Sequence, residues 1–190
     1  MRVYIMPLRK EMKTVASVEK FAHGAVVNQL RHCNRQIQND NNKDIDPSRT
    51  HLNFSLTPQR NMSELDYYKQ RKAELYCYGR ADVKTMAGWI VTAPAELKTR
   101  EEEIAFFKNT YQFLESRYGK ENVISATVHY DEGKMEKCKD RWGEYIKDEN
   151  GEIKKELVLG RPHLHFNFIP VTEDTNQKHT QSEKICANNV

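Results

Sequence analysis

The sequence predicts a protein of the α+β or α/β class, in which helices pack on a central β-sheet. Three observations support this prediction. Apolar and polar residues alternate as in a strand, most clearly in RPHLHFNFIPVT at 161–172. Two stretches with helical periodicity begin at capping boxes, Ser63 with Asp66 and Thr99 with Glu102. Because helices of this length alternate with strands, the element order is that of a sheet protein.

The predicted elements alternate along the chain. They are a strand at 2–8, a helix at 15–38, a strand at 50–56, a helix at 63–77, a strand at 86–94, a helix at 99–118, and strands at 121–130 and 161–172. The first helix is predicted from apolar residues at roughly helical spacing, which Gly24 interrupts. The strand at 50–56 has one apolar face, and its other face carries His51, Asn53 and Ser55. That polar face suits phosphates and base edges, or water.

A charged segment at 133–160 separates two of the predicted strands. It has alternating arms on either side of Asn150-Gly151, and Asn-Gly is a strong signal for a hairpin turn. We therefore expect a protruding β-hairpin between His129 and His163. The residues after 172 are polar and without periodicity, so 173–190 is predicted to be an exposed tail, with His179 in solvent, and the start of a truncated C-terminal part.

The composition indicates one water-soluble domain. The chain has 190 residues, of which 38% are hydrophobic and 30% charged, and no run of about 18 apolar residues predicts a membrane span. The first 13 residues are too charged for a secretory signal. The four cysteines form no C-x-x-C pair, which favours reduced thiols and a cytoplasmic location.

Positive charge is concentrated in the N-terminal third of the chain. The net charge is +3, but the first 60 residues hold ten Lys/Arg against five Asp/Glu. A basic region of this kind suits a polyanionic partner such as DNA.

Three histidines on strands predict a metal site. His163 and His165 point to one face of their strand, opposite Leu164, Phe166 and Phe168. An H-x-H pair on a rigid strand delivers two nitrogens to one metal, and His129 lies on another apolar strand. The alternatives are a purely structural metal site or core histidines that are satisfied by hydrogen bonds.

Three segments together resemble the MobV-type plasmid mobilisation relaxases, also called Mob/Pre plasmid recombination enzymes, of the HUH endonuclease superfamily. The first is His32-Cys33-Asn34-Arg35, an H-x-x-R pattern, and the second runs from Asn42 to Phe54, NKDIDPSRTHLNF. The third is His129-Tyr130-Asp131-Glu132 followed by Pro162-His163-Leu164-His165. The likeness covers residues 1–172. In the family the two parts of the third segment are almost adjacent, whereas here the 133–160 insert separates them.

The resemblance implies a ferredoxin-like or RRM-like fold, with a central antiparallel sheet and helices packed on it. It also implies a metal-dependent relaxase that nicks one strand at a plasmid transfer origin and stays joined to the 5′ phosphate. His32 matches the family's histidine nucleophile, and Arg35, three residues later on the same helical face, would bind phosphate. Glu132, or secondly Asp131, would hold the far ring N–H of His32.

The cofactor implied is a divalent metal held by His129, His163 and His165, with manganese favoured and zinc or magnesium as alternatives. The partner implied is origin-of-transfer DNA, single-stranded or as a hairpin, together with dimerisation through the missing C-terminal part. The expected DNA contacts come from the second segment. They are Asn42, Lys43, Asp44, Ser48, Arg49, His51 and Asn53.

Three rival interpretations remain open at this point. A tyrosine nucleophile, with Tyr4 or Tyr130 on a strand, is the mechanistic rival. A replication-initiation nickase with the same H-x-H core is the second rival. A non-catalytic DNA-binding repressor, which would bind DNA without metal and form no covalent adduct, is the third.

Overall fold

The computed structural model describes residues 15–36 and 43–190. Within these ranges there are three α-helices, His23–Cys33 (α1), Glu64–Ala73 (α2) and Arg100–Tyr118 (α3). The strands are Ala16–Ala22 (β1), Phe54–Ser55 (β2), Lys84–Thr92 (β3), Val123–His129 (β4), Gly133–Lys137 (β5), Lys155–Leu159 (β6), His163–Phe168 (β7), Val171–Glu173 (β8) and Glu183–Ile185 (β9). Among the described helices, none combines the length and apolar character needed to cross a bilayer.

Five strands form one antiparallel sheet in the order β1-β3-β7-β4-β2. The strand with the H-x-H pair, β7, is therefore central, between β3 and β4. Helix α3 covers one face of the sheet, and α1 and α2 cover the other. The α+β prediction with a central antiparallel sheet is confirmed.

The two faces of β7 have the roles that its alternation predicts. Leu164, Phe166 and Phe168 are fully buried in the cluster that includes Phe107 and Tyr111 of α3. Each such side chain contributes about 1.5–3 kcal/mol through burial, so this face fixes the register of the strand. The opposite face then carries the histidines toward α1. Ser63 and Thr99 are the N-cap residues of α2 and α3, and their side chains accept from the backbone N–H groups three residues later. The predicted capping box is complete at Thr99, where Glu102 accepts the Thr99 N–H, whereas at Ser63 the Asp66 carboxylate accepts from the Ser63 hydroxyl instead.

The helix predicted at 15–38 is wrong over its first third. Residues Ala16–Ala22 form β1, which pairs along β3 from Ala16↔Val91 onward, and α1 begins only at His23 and ends at Cys33. The apolar residues of β1 fit helical spacing by chance, and pairing with β3 overrides that local pattern. The strand predicted at 2–8, and residues 37 and 38, lie outside the described residues.

The strand predicted at 50–56 is also largely wrong. Pro47–Leu52 is a 3₁₀-helix, and only Phe54–Ser55 pairs in the sheet. The Asp46 side chain accepts the Ser48 N–H at 3.0 Å, and Pro47 fixes φ at the first helical position. The predicted polar strand face therefore does not form.

The residues after 172 are not an exposed tail. β8 pairs with β9, and Ile185 of β9 is buried against the α1–α2 side of the sheet. The Arg71 guanidinium binds Glu183 at 2.7 Å, and the His179 ring stacks on Tyr76 at 3.4 Å. These contacts join residues far apart in sequence, so periodicity within the segment could not reveal them.

The inserted hairpin predicted at 133–160 is confirmed. β5 pairs with β6 from Gly133↔Leu159 to Lys137↔Lys155. Beyond them the chain makes two reverse turns, one ending at Gly143 and one at Gly151, both with positive φ. Only the second turn, at Asn150-Gly151, carries the Asn-Gly signal that predicts a turn from the sequence.

Candidate active site and metal centre

Four side chains converge at one end of β4 and β7. His129 and His163 are directly paired across the two strands, and His165 lies two residues further on the same face. With Glu132, these histidines each offer one ligand atom, and all four atoms lie within 4.8 Å of one another. The three histidines singled out in the sequence are thus brought together, and Glu132 joins them.

The hydrogen bonds around the cluster leave nitrogen lone pairs facing a carboxylate. His129 Nε2 lies 2.9 Å from the Cys33 carbonyl and so acts as the donor, which leaves Nδ1 as a lone pair. That buried Nδ1 has no hydrogen-bond partner although Glu132 Oε1 is 3.1 Å away. Likewise, His163 Nδ1 lies 3.3 Å from the Arg161 carbonyl.

His163 Nε2 then faces a carboxylate oxygen and a second ring nitrogen. It lies 3.0 Å from Glu132 Oε2 and 3.1 Å from His165 Nε2. The lone pair of a neutral imidazole repels a carboxylate oxygen at 3.0 Å, and a cation between them removes the repulsion. Backbone carbonyls that orient the far ring nitrogens are the usual outer partners of metal-binding histidines. The residues present therefore fit a divalent metal with imidazole and carboxylate ligands.

The protonation states suit such ligands. Burial lowers the pKa of His165 to about 2, helped by the neighbouring His129 and His163, so this ring stays neutral. Burial opposes ionisation of Glu132, but the histidines around it, His129, His163 and His32, outweigh burial and hold the pKa of Glu132 well below its usual range. A neutral imidazole and an ionised carboxylate are the forms that bind metal.

His32 lies beside this cluster with an accessible side chain. It is on the last turn of α1, and its side chain is 36% exposed. Its Nε2 is 3.3 Å from Glu132 Oε1, and its ring centroid is 5.7 Å from that of His165. The predicted pairing of His32 with Glu132 is thus possible in spite of the insert. The Gly160 N–H donates to the Glu132 carbonyl at 2.9 Å and closes the base of the hairpin, so the chain returns to the site.

Arg35 does not share a helical face with His32, because α1 ends at Cys33 and Arg35 adopts a left-handed backbone with φ of 53°. This turn directs the guanidinium inward. Its Nε and Nη2 donate to Asp131 at 3.0 and 2.5 Å, Nη2 also donates to Glu132 at 2.7 Å, and Nη1 donates to the His32 carbonyl at 2.9 Å. Arg35 therefore positions the site residues, where the sequence suggested a phosphate ligand.

Asp131 is the fully buried partner of Arg35. Its carboxylate also accepts from Thr50 Oγ1 at 2.9 Å and Asn53 Nδ2 at 2.8 Å. Burial alone would raise its pKa, but these hydrogen bonds, led by that from Arg35, hold the pKa of Asp131 below its usual range. Glu132 rather than Asp131 is within reach of His32. The role of Thr50 was missed in the sequence, since nothing local links it to a residue 81 positions away.

Replacing Arg35 with alanine is expected to lower the free energy of unfolding by about 3 kcal/mol, because the buried Asp131 carboxylate loses its counter-ion. Urea unfolding followed by circular dichroism measures the change. The double variant Arg35→Ala/Asp131→Asn should recover part of the loss, since an amide carries no charge to compensate. Equal stabilities of Arg35→Ala and the parent protein would contradict this account of the ion pair.

The predicted DNA-contact segment forms hydrogen bonds with the backbone on both sides of Glu132. Asp44 accepts the Gly133 and Met135 N–H groups, Arg49 Nε donates to the Tyr130 carbonyl at 3.1 Å, and Asn53 Oδ1 accepts the Tyr130 N–H at 2.7 Å. Arg49 and Asn53 are half-buried by these contacts. The exposed residues among the predicted contacts are Lys43, Asp44, Ser48 and His51, and Asn42 lies outside the described residues.

Tyr130, the tyrosine next to a candidate ligand, points away from the site. Its side chain is 8% exposed and lies on the opposite side of the chain, 6.3 Å from the Phe54 ring centroid. Burial, together with nearby Glu103, raises the pKa of Tyr130 to about 12. This tyrosine is therefore poorly placed as a nucleophile, and Tyr4 lies outside the described residues.

Replacing residues 133–160 with a short glycine-containing turn is expected to leave metal binding intact. The ends of the insert already meet through the Gly160–Glu132 hydrogen bond, and none of the four converging side chains lies inside it. Metal content after dialysis, compared with the parent protein, measures the effect. Loss of the metal by a deletion variant whose circular dichroism still reports the folded domain would show that the insert is part of the site.

Comparisons with known proteins find relatives of this chain in sequence and in fold. The family model described as plasmid recombination enzyme (Mob_Pre) matches residues 10–189. Plasmid recombination enzyme type 1 of Staphylococcus aureus is 32% identical over 150 residues, which are 76% of this chain and 30% of that protein. The plasmid recombination enzyme of Streptococcus agalactiae is 30% identical over 158 residues, 79% of this chain and 31% of that protein. The chain thus spans about a third of the length of these relatives.

Solved structures show the same fold. One crystal structure of the MobM relaxase domain, bound to pMV158 oriT DNA and manganese, superposes with a TM-score of 0.63 at 24% identity, over 93% of this chain and 75% of that one. A second such complex, with a 23-nucleotide DNA, gives 0.55 at 26% identity, over 83% and 68%. The match of the family model over nearly the whole chain, together with these relatives, shows that this chain belongs to the Mob/Pre family of plasmid recombination enzymes.

Proposed function

We propose that this chain is the relaxase domain of a plasmid mobilisation protein, which nicks one DNA strand at a transfer origin and becomes covalently joined to the 5′ phosphate through His32. The observation that carries the proposal is the position of His32. Its ring is partly exposed, touches the Glu132 carboxylate at 3.3 Å, and lies beside three converging imidazoles. The family membership and the DNA-bound relaxase structures support the same activity.

In the proposed reaction, Glu132 fixes the tautomer of His32. The Nε2–H group donates to Glu132 Oε1, so the lone pair is on Nδ1. That nitrogen attacks the scissile phosphorus, forming a P–N bond as the bond to the 3′ oxygen breaks, and the 3′ oxygen leaves as a hydroxyl after taking a proton from solvent. The Glu132 carboxylate stabilises the positive charge that develops on the ring. The phosphoramidate conserves the bond energy, so a 3′ hydroxyl can later rejoin the strand.

The chain's own residues prepare this step. Arg35 binds Glu132 and the His32 carbonyl, so the nucleophile and its carboxylate partner are held in one hydrogen-bonded unit. His129, His163 and His165 would hold the metal, with Glu132 facing them. When bound, a divalent metal supplies charge neutralisation at the non-bridging oxygens of the phosphate. Manganese is favoured, since relaxase structures of similar fold contain it and it accepts both imidazole and oxygen ligands; zinc and magnesium are the alternatives.

The proposed DNA contacts are the exposed side chains near the site. Lys43, Ser48 and His51 are exposed, and Arg49 is held beside them by the Tyr130 carbonyl. We assign them to the phosphates of an origin strand, single-stranded or folded as a hairpin. Bacterial cytoplasm as the location, and dimerisation through parts outside this chain, belong to the same proposal.

A labelled single-stranded origin oligonucleotide, incubated with the protein and manganese and run on a denaturing gel, tests the proposal. A shorter labelled strand and a protein-linked band are expected, and both should disappear with a chelator. Binding without cleavage over a panel of known transfer origins would instead favour the repressor interpretation.

A further inference from the structure

The insert contains an internal repeat that the nicking chemistry does not use. Three consecutive octapeptides, KCKDRWGE at 137–144, YIKDENGE at 145–152 and IKKELVLG at 153–160, share a lysine at their third position. The first two also share Asp, Gly and Glu at positions four, seven and eight. A repeat of this kind places equivalent residues on equivalent sites of the fold.

The repeat folds into two equivalent turns that meet at a junction. Asp140 Oδ1 accepts the N–H groups two and four residues later, at 2.9 and 3.0 Å, and Asp148 does the same at 2.9 and 3.0 Å. The second residue of each octapeptide joins a closed ring of hydrogen bonds. In that ring Cys138 donates to Lys154, Lys154 donates to Ile146, and Ile146 donates to Cys138.

This junction sorts the side chains onto two faces. Cys138, Ile146 and Lys154, the three residues joined by these hydrogen bonds, each have one paired residue before them and one after them. The pairs are Lys137↔Lys155, Lys139↔Tyr145 and Lys147↔Ile153. Because side chains alternate along a strand, these pairs share one face, and Cys138, Ile146 and Lys154 point to the other. We call the first the lysine face. It consists of Ile153, which is half-buried, and five exposed residues, Lys137, Lys139, Tyr145, Lys147 and Lys155.

On each face of the hairpin, like charges are paired directly across the two strands. Lys137 lies directly opposite Lys155 on the lysine face, and Glu136 lies directly opposite Glu156 on the other face. Like charges in direct cross-strand pairs are destabilising, so this hairpin is not arranged for its own stability. A polyanion bound to the lysine face would offset the repulsion there.

An exposed aromatic ring stands among the lysines. The Tyr145 side chain is 47% exposed, and Lys137 Nζ and Lys139 Nζ lie 5.2 and 5.1 Å from its ring centroid. Basic side chains interleaved with an aromatic ring are typical of surfaces that bind single-stranded nucleic acid, because the ring stacks on an unpaired base.

The insert also starts and ends at the candidate active site. Gly133 follows Glu132 directly, and Gly160 comes three residues before His163. We propose that the lysine face binds the single-stranded DNA that leaves this site, with lysines on phosphates and Tyr145 stacked on a base. This inference rests on the proposed function, since it assumes that the site works on DNA.

A pair of matched variants tests the electrostatic part. Lys139→Gln/Lys147→Gln removes two charges from the lysine face, and Lys134→Gln/Lys154→Gln removes two from the opposite face of the same hairpin. Binding to single-stranded oligodeoxythymidylate is followed by fluorescence anisotropy over a range of salt concentrations. The slope of log affinity against log salt should become shallower by about 1.4 in the first variant, at about 0.7 for each phosphate contact. It should stay close to the parent value in the second, and equal slopes for both variants would overturn the proposal.

Substitutions at Tyr145 test whether its ring stacks on a base. Tyr145→Ala should weaken binding to the oligodeoxythymidylate about tenfold, whereas Tyr145→Phe should keep the parent affinity, since stacking needs only the ring. A duplex of the same length is the second probe, and a similar loss with the duplex would overturn the assignment to single strands. Failure here is distinguishable from failure of the proposed function. The covalent adduct is read on a denaturing gel, and it should still form in the lysine-face variants.

Discussion

Replacing His32 with alanine is expected to reduce the covalent protein–DNA adduct by at least about 10³-fold, because the substitution removes the proposed nucleophile. Metal content and DNA affinity should stay close to those of the parent protein, since His32 is not among the four converging ligand atoms. His23→Ala is the matched control. It removes an exposed histidine from the opposite end of the same helix, α1, and should leave the adduct unchanged.

The chemistry of the adduct identifies the nucleophile independently of the variant. A phosphohistidine bond hydrolyses in acid and survives base, whereas a phosphotyrosine bond is stable in acid. The parent adduct should therefore be lost on mild acid treatment and persist in alkali, as read on a denaturing gel. An acid-stable adduct, mapped by mass spectrometry to a tyrosine, would refute the assignment to His32.

The parts of the fold that could be predicted are those in which the signal is local. The alternation in β7 follows from its own six residues, and its burial between β3 and β4 makes both faces decisive. Capping at Ser63 and Thr99 likewise lies within four residues. The H-x-H pair and His129 were found because each is a polar residue on an otherwise apolar strand.

The parts that could not be predicted depend on distant partners. Residues 16–22 carry a spacing compatible with a helix, and only pairing with β3, some 70 positions later, makes them a strand. The H-x-x-R spacing predicts that Arg35 is a helical neighbour of His32, but its guanidinium turns toward Asp131, 96 positions away. No pattern within the H-x-x-R segment contains that information.

The Glu132 carboxylate, at the start of the inserted hairpin, lies between His32 and the histidine cluster. Its Oε1 faces His32 and His129, and its Oε2 faces His163. The proposed nucleophile and the proposed metal site would therefore share an anion, so a metal bound on one side would alter the charge available to His32 on the other. The sequence predicted Glu132 only as the partner of His32, since the insert hid its distance from His163.

Alanine at His129, His163 or His165 is expected to remove the bound metal. Each substitution deletes one of three imidazoles on neighbouring strands, and a site of two imidazoles and a carboxylate should bind manganese at least about 100-fold more weakly. In the parent protein, metal at about 100 times its Kd should stabilise the fold by about 2.7 kcal/mol, which is measurable as a rise in Tm. The variants should show little rise at the same concentration.

Asn167→Ala is the control for this series. Asn167 lies on the same face of β7, two residues beyond His165, and is fully buried, with hydrogen bonds to Ser125 and Cys33. This variant should lose stability, because a buried hydrogen-bonding side chain is removed. It should keep its metal and the metal-induced rise in Tm, because Asn167 is not one of the four converging residues. Metal content measured after dialysis separates the two cases. If all three histidine variants retained the metal content of the parent, the cluster would be a set of core histidines, and the divalent-metal site on this sheet would have to be abandoned.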